Sequence, residues 1–267
     1  MIKGEVVTAL MSKIMRVILT GVSMIAIIME ACSPGQSTDA IENSTVSRKC
    51  ALKTEAKAMM EVPLPEEYLI DDFEITYQMP ELPTGCEITA LTMALNYYGY
   101  GIDKVTMAAQ YLPTAAANLY YGADGTLYGS DLNQYFIGDP ATEFGYVCGT
   151  GAIVTAADSY LSETGSELRA KDMTGTEPEE LYEMVSEDIP VVVWVTIGMA
   201  DRQPAQGWYT ENGEYVDWST NDHGAVLIGY SEDTVTIADP ISGLTEYSRG
   251  QFESVFESRG RQCVILQ

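Results

Sequence analysis

Five cysteines and one histidine are the whole stock of thiols and imidazoles in the chain. Any chemistry that couples a sulfur nucleophile to an imidazole must therefore pass through His223. Among the thiols, Cys86 has the setting that best suits a nucleophile. Thr84-Gly85-Cys86-Glu87 has the Ser/Thr-x-x-Glu spacing of a capping box, which predicts a helix with Thr84 as N-cap and Glu87 at its third position. Cys86 then falls in the first turn, where unpaired N–H groups and the helix dipole favour the thiolate and lower a thiol pKa from about 8.5 by a unit or more. The adjacent charge of Glu87 opposes that effect. A buried, inert cysteine is the competing reading of the same position.

A thiol nucleophile needs a proton shuttle, and the shuttle needs a partner on its second nitrogen, commonly Asp or Asn. Asp239 stands sixteen residues after His223, at the far end of a predicted hairpin that brings the chain back beside His223. Asp239-Pro240 with Gly243 nearby is also good turn chemistry, so a turn residue is the alternative. His223 follows Cys86 by 137 residues, the order and separation of a papain-like pair.

These groups require rigid elements. Apolar residues at three- and four-residue steps predict helices over 85–98, 103–111, 151–161 and 178–187. The acidic residues of the last one read as a solvated face. β-Branched and apolar runs predict strands over 190–197, 223–230 and 234–238, the last two joined as a hairpin by Ser231-Glu232-Asp233. Asn212-Gly213 offers a second turn between aromatic flanks. A short helix over 251–257 and a strand over 262–266 close the unit. Helices first and strands later is an α+β order, with a helical N-terminal half packed on an antiparallel C-terminal sheet. Trp194 reads as core, Trp208 and Trp218 as candidates for a substrate cleft, and Cys148 and Cys263 as packed thiols, with a disulfide between them as the alternative in an oxidising exterior.

Composition narrows the function. The 267 residues carry 14 Lys+Arg against 39 Asp+Glu, a formal net charge of −25. From residue 58 onward the count is 7 basic to 34 acidic side chains. Such a body is repelled by phosphate backbones, so nucleic-acid binding is excluded, and its field favours cationic peptides. No Cys-x-x-Cys or His-x3-His spacing is present and no metal or cofactor is expected. A Gly-x-Ser-x-Gly elbow is likewise absent.

The N-terminus reads as targeting. Lys13 and Arg16 precede a thirteen-residue run of apolar and small residues over 17–29, too short for the roughly 20 residues that span a bilayer, and the pattern of an export signal. Met29-Glu30-Ala31-Cys32 resembles the lipobox of bacterial lipoproteins, with Cys32 as the acylated residue. The expected organisation is a signal over 1–31, a flexible tether over 32–60 that contains Cys50, and one compact domain over 61–267, exported and either held to the membrane through the N-terminal anchor or secreted.

The segment from Gln78 through Pro83-Thr84-Gly85-Cys86-Glu87-Ile88 to Tyr97-Tyr98-Gly99 resembles the nucleophile segment of the peptidase C39-like family, a branch of the papain-type cysteine peptidases. Asp222-His223 running into Leu227-Ile228-Gly229-Tyr230, and Asp239-Pro240 with Gly243, resemble that family's His and Asp segments, and the resemblance spans about 77–266. It implies Cys86 as nucleophile, His223 as general base and acid, Asp239 as orienter, and Gln78 as an oxyanion-hole donor together with the Cys86 N–H. Gly224 departs from the larger residue expected after the histidine. The implied activity is hydrolysis of a peptide or amide bond through an acyl-enzyme, on a peptide or protein substrate. An acyl or amide transferase with the same triad, and a non-catalytic surface binding module on the same fold, are the alternatives.

Overall fold

The computed structural model describes residues 64–267. The signal, the tether and Cys32 lie outside them. Among the described residues the strands are β1 (Tyr68–Leu69), β2 (Thr114–Ala115), β3 (Tyr120–Tyr121), β4 (Leu127–Tyr128), β5 (Phe136–Ile137), β6 (Ala170–Asp172), β7 (Val191–Thr196), β8 (Trp208–Tyr209), β9 (Tyr215–Val216), β10 (Asp222–Tyr230), β11 (Thr234–Asp239), β12 (Gly243–Ser248) and β13 (Cys263–Leu266). The helices are α1 (Cys86–Tyr97), α2 (Lys104–Thr106), α3 (Thr150–Glu163), α4 (Pro178–Ser186) and α5 (Arg249–Ser258).

One antiparallel sheet, ordered β12-β11-β10-β7-β13-β6 with β1 on β10, carries the core. Every residue of β10 and β7 is buried. That is why 191–196 and 222–230 read as nearly unbroken apolar runs with no polar face. The two strands pair in register, His223 opposite Val195 and Val226 opposite Val192. The hairpin from β10 to β11 forms as the sequence predicts, with Val226 opposite Ala238.

Ten of the twelve residues of α1 are buried. A helix enclosed on every side belongs inside the domain, and α1 packs directly on β10. Tyr182, Trp194, Phe252 and Phe256 fill the same core, the two phenylalanines stacked at 5.6 Å. The carboxylates of α4 stay exposed while Leu181, Tyr182 and Val185 turn inward, so the acidic stretch is a solvated face, as its pattern predicts.

Two local expectations change. The helix predicted over 103–111 is α-helical only through Thr106, then widens into a π-turn over Met107–Tyr111 closed by Leu112 N–H to the Met107 carbonyl. Pro113 follows, lacking the N–H that a longer helix needs. Trp208 does not line a cleft. The polar loops 114–148 and 204–219 fold onto each other in a small sheet ordered β3-β4-β8-β9. Trp208 is the centre of a second apolar cluster there, with Leu132, Ile137, Val147 and Val216, and its indole N–H donates to the Ser130 carbonyl at 2.8 Å. Trp218 packs half-buried against Tyr146 at 5.0 Å. Polar loops hide a core when two of them share it, which single-segment patterning does not reveal.

The seat of α1 on β10 depends on Gly224. A Cβ there would lie 2.7 Å from the Glu87 Cα and 3.0 Å from the Glu87 nitrogen, a clash with backbone that no side-chain rotation relieves. The glycine departs from the larger residue expected after the histidine because the helix start occupies that space. Gly224→Ala is expected to destabilise the domain by about 1–3 kcal/mol, read as a lower urea midpoint; an unchanged midpoint would show that the helix start does not press on the strand.

Candidate active site

The helix that carries Cys86 begins one residue later than the capping box predicts. Gly85 is the N-cap, and no side chain caps the helix. Thr84 turns away and donates to the Thr142 carbonyl at 3.0 Å. Gly145 leaves that hydroxyl room, since a Cβ there would sit 2.2 Å from it. Glu87 is also no cap. Its side chain is fully buried, with Oε2 3.3 Å from the Cys86 sulfur and Oε1 accepting the Cys148 N–H at 3.3 Å. The Cys148 peptide is fixed from its other end by the Trp194 indole, which donates to its carbonyl at 2.7 Å.

This arrangement reverses the expected ionisation of Cys86. Burial pushes the thiol well above its ordinary range and the charge of Glu87 pushes the same way. The N–H groups of Gly224 and Glu87 face the sulfur and favour the thiolate, but do not outweigh burial. Burial drives the Glu87 carboxyl itself up to about 7, against its hydrogen bonds and the nearby His223.

His223 is the second residue of β10 and is 1 % exposed. Its Nε2 lies 3.0 Å from Asp239 Oδ1. Asp239 ends β11, where the same oxygen also accepts the N–H groups of Ile241 (2.6 Å) and Ser242 (3.0 Å). The residue thus serves as both turn former and histidine partner, the two roles that its sequence setting left open. Burial alone would raise its carboxyl, but the His223 hydrogen bond and these two N–H groups hold it below the ordinary carboxylate range. An ionised Asp239 accepts a hydrogen bond from Nε2–H, which assigns Nδ1 as the nitrogen with the free lone pair. Nδ1 is buried and has no hydrogen-bond partner. The Cys86 S–H is directed to Glu87, whose backbone packs on Gly224, the residue after His223.

Gln78 is buried in the loop before the helix. One N–H of its amide donates to the Pro83 carbonyl at 2.8 Å, which leaves the second donor of the amide uncommitted. The backbone ties this loop to the Asp239 turn, Gln78 N–H donating to the Pro240 carbonyl at 2.8 Å. Lys104 clamps it from outside, with its ammonium on the carbonyls of Tyr77, Gln78 (3.0 Å) and Met79 and on Glu81 at 2.8 Å.

Sequence reading missed Glu87 as a site group, Lys104 as the clamp, and a buried ion pair at the start of β10. Asp222 meets Arg259 at 2.7 Å and accepts the Ser219 N–H at 2.9 Å. The pair anchors the strand immediately before His223. Only the Asp222-His223 adjacency signalled it, because Arg259 arrives from the C-terminal end of α5, 37 residues away. Cys148 and Cys263 are buried free thiols. Among the described residues, no three His, Cys, Asp or Glu side chains are grouped to hold a metal.

Residues 70–264 match the family model described as Peptidase_C39 like family. The uncharacterized protein YvpB of Bacillus subtilis is 30 % identical over 189 residues, which cover 70 % of this chain and 71 % of that protein. The crystal structure of a proposed C39-like peptidase from Bacillus anthracis superposes with a TM-score of 0.66 at 30 % identity, covering 76 % of this chain and 98 % of the other.

A buried carboxyl titrating near 7 instead of 4.5 favours folding in its neutral form. Its stabilisation is fully present below about pH 4.5 and is lost as pH rises through about 7, a change of about 3 kcal/mol. Glu87→Gln has no such loss. Its stability relative to wild type is expected to improve by up to that amount between pH 5 and pH 8 in urea titrations; a difference independent of pH would contradict the burial of an ionisable Glu87.

Proposed function

The chain belongs to the Peptidase_C39 like family, and from that premise we propose that it is a cysteine peptidase that cleaves a peptide or amide bond through a thioester on Cys86. The carrying observation is the buried His223–Asp239 pair at 3.0 Å, with Nδ1 free, on the residue before Gly224, against which the start of the Cys86 helix packs. Nδ1 takes the thiol proton as the sulfur attacks the substrate carbonyl carbon. The imidazolium then gives that proton to the departing amine as the C–N bond breaks. Water repeats the sequence on the thioester, losing a proton to Nδ1 and releasing the acid and the Cys86 thiol. Asp239, held ionised by three donors, keeps the imidazole in the Nε2–H tautomer and stabilises its charged form.

The Cys86 N–H is in the first turn of α1, whose opening N–H groups have no partner inside the helix. With the uncommitted N–H of Gln78 it supplies the donors for the oxyanion. The Lys104 clamp and the Pro240 contact hold the Gln78 loop at fixed height above the helix start.

Cationic peptides are the substrate class that the body's charge favours. A cavity of about 430 Å³ beyond Cys148 is lined by Asp131, Asp172, Glu214 and Asp217, and its Arg259 is already paired with Asp222. Export, with a lipid anchor at Cys32, belongs to the same proposal and rests on residues 1–32 of the sequence.

Hydrolysis of a peptide library is expected, with preference for Lys- and Arg-containing members that weakens at high salt. Cys86→Ala should abolish turnover, and His223→Ala and Asp239→Asn should lower kcat by about 100-fold or more. Gln78→Ala should lower kcat by roughly 100-fold with little change in KM. Folded protein with no turnover of any peptide, or full activity in His223→Ala, would overturn the assignment.

A further inference from the structure

Glu87 has no role in the acyl-transfer scheme, yet its carboxyl contacts the reacting sulfur. Oε2 is 3.3 Å from Cys86 Sγ, while Oε1 is held by the Cys148 N–H. Neither oxygen reaches solvent, and the stem of the side chain packs close to Gly224, where an added Cβ would lie 2.9 Å from the Glu87 Cγ. We propose that Glu87 gates the ionisation of Cys86: its carboxylate holds the thiol proton in the resting site, and its neutral acid is the form in which the thiolate and the His223 imidazolium assemble. The proposal rests on the reading of Cys86 as the nucleophile.

The electrostatics follow from charge count. With Glu87 ionised, a thiolate would put two negative charges in contact between two buried side chains, a strongly unfavourable pair. When Oε2 takes a proton from solvent, that repulsion is gone. The S–H bond then breaks toward His223, its electron pair staying on sulfur and its proton forming the Nδ1–H bond. The new carboxylic O–H can donate to the thiolate. The active form thus carries one proton more than the resting form, taken from water at Oε2.

The ionisable groups around Glu87 come from several elements: Cys86 on α1, Cys148 on the loop before α3, His223 on β10 and Arg259 at the end of α5. In the resting site the two thiols stay protonated, since burial raises both. The nearby positive charge of Arg259, and that of His223 once it has taken a proton, favour ionised Glu87, which burial opposes. The gate therefore operates near neutral pH, where Glu87 titrates at about 7.

The test is the rate of iodoacetamide alkylation at Cys86, followed by peptide mass spectrometry from pH 5.5 to 9 in wild type and in Glu87→Gln, an amide of the same shape that cannot ionise. The wild-type rate is expected to level off or fall above about pH 7. Glu87→Gln should match wild type within about twofold at pH 6 and exceed it by about tenfold or more at pH 8.5, a factor of ten corresponding to one pKa unit. Identical profiles would overturn the gate and leave the peptidase assignment standing. Cys86 that is inert at every pH in both proteins would overturn the two together. Should Glu87→Gln fail to fold, infrared titration of wild type replaces it. A protonated-carboxyl band that titrates near neutrality and shifts when Cys86 is alkylated supports the gate, and a band indifferent to that alkylation overturns it.

Discussion

The seat of the α1 N-terminus on β10 is the constraint from which the rest of the site follows. With no side chain at Gly224, the backbone of Glu87 sits against the strand, and the residues next to the two in contact are Cys86 and His223. A helix buried along ten of twelve residues and a strand buried along nine have no freedom to slide. Relative placement of Cys86 and His223 is therefore a property of core packing and not of loops. The hairpin to β11 adds Asp239 at a register fixed by four paired positions.

That rigidity comes with buried polar groups, and the fold answers most of them with partners. Asp239 has three donors, Asp222 has Arg259 and the Ser219 N–H, and the Gln78 loop has the Lys104 ammonium. Six buried side-chain atoms among the described residues have no partner: Gln78 Oε1, Arg202 Nη2, Asp222 Oδ1, His223 Nδ1, Tyr230 Oη and Arg259 Nε. Unsatisfied buried groups cost stability, and two of these, on Gln78 and His223, belong to the residues proposed to act on a polar reactant. Glu87 is the extreme case, a carboxyl kept beside the sulfur at the expense of its own ionisation.

The sequence carried the architecture because α1, β7 and β10 are long, apolar and of a single period, so local pattern and tertiary role agree. Cys86, His223 and Asp239 were legible as an ordered set, since one histidine admits one shuttle and a hairpin brings Asp239 back to it. Other features depended on contacts between distant segments. Thr84 looks like an N-cap until Thr142 takes its hydroxyl, and Glu87 looks like a cap residue until Gly224 and Cys148 draw it inward. Trp208 looks like a cleft residue until loop 114–148 covers it. The same burial overrode the local rule for the thiol: a first-turn position favours the thiolate, but enclosure and an adjacent carboxylate weigh more.

The central claim is that Cys86 is a nucleophile served by His223. A crystal structure of the protein after reaction with a peptidyl epoxide such as E-64 tests it most directly. The account predicts one thioether at Cys86 Sγ, with His223 Nδ1 turned to the adduct and the Nε2 hydrogen bond to Asp239 intact. An adduct on Cys148 or Cys263 with Cys86 unmodified, or a modified Cys86 with His223 directed away from it, would contradict it.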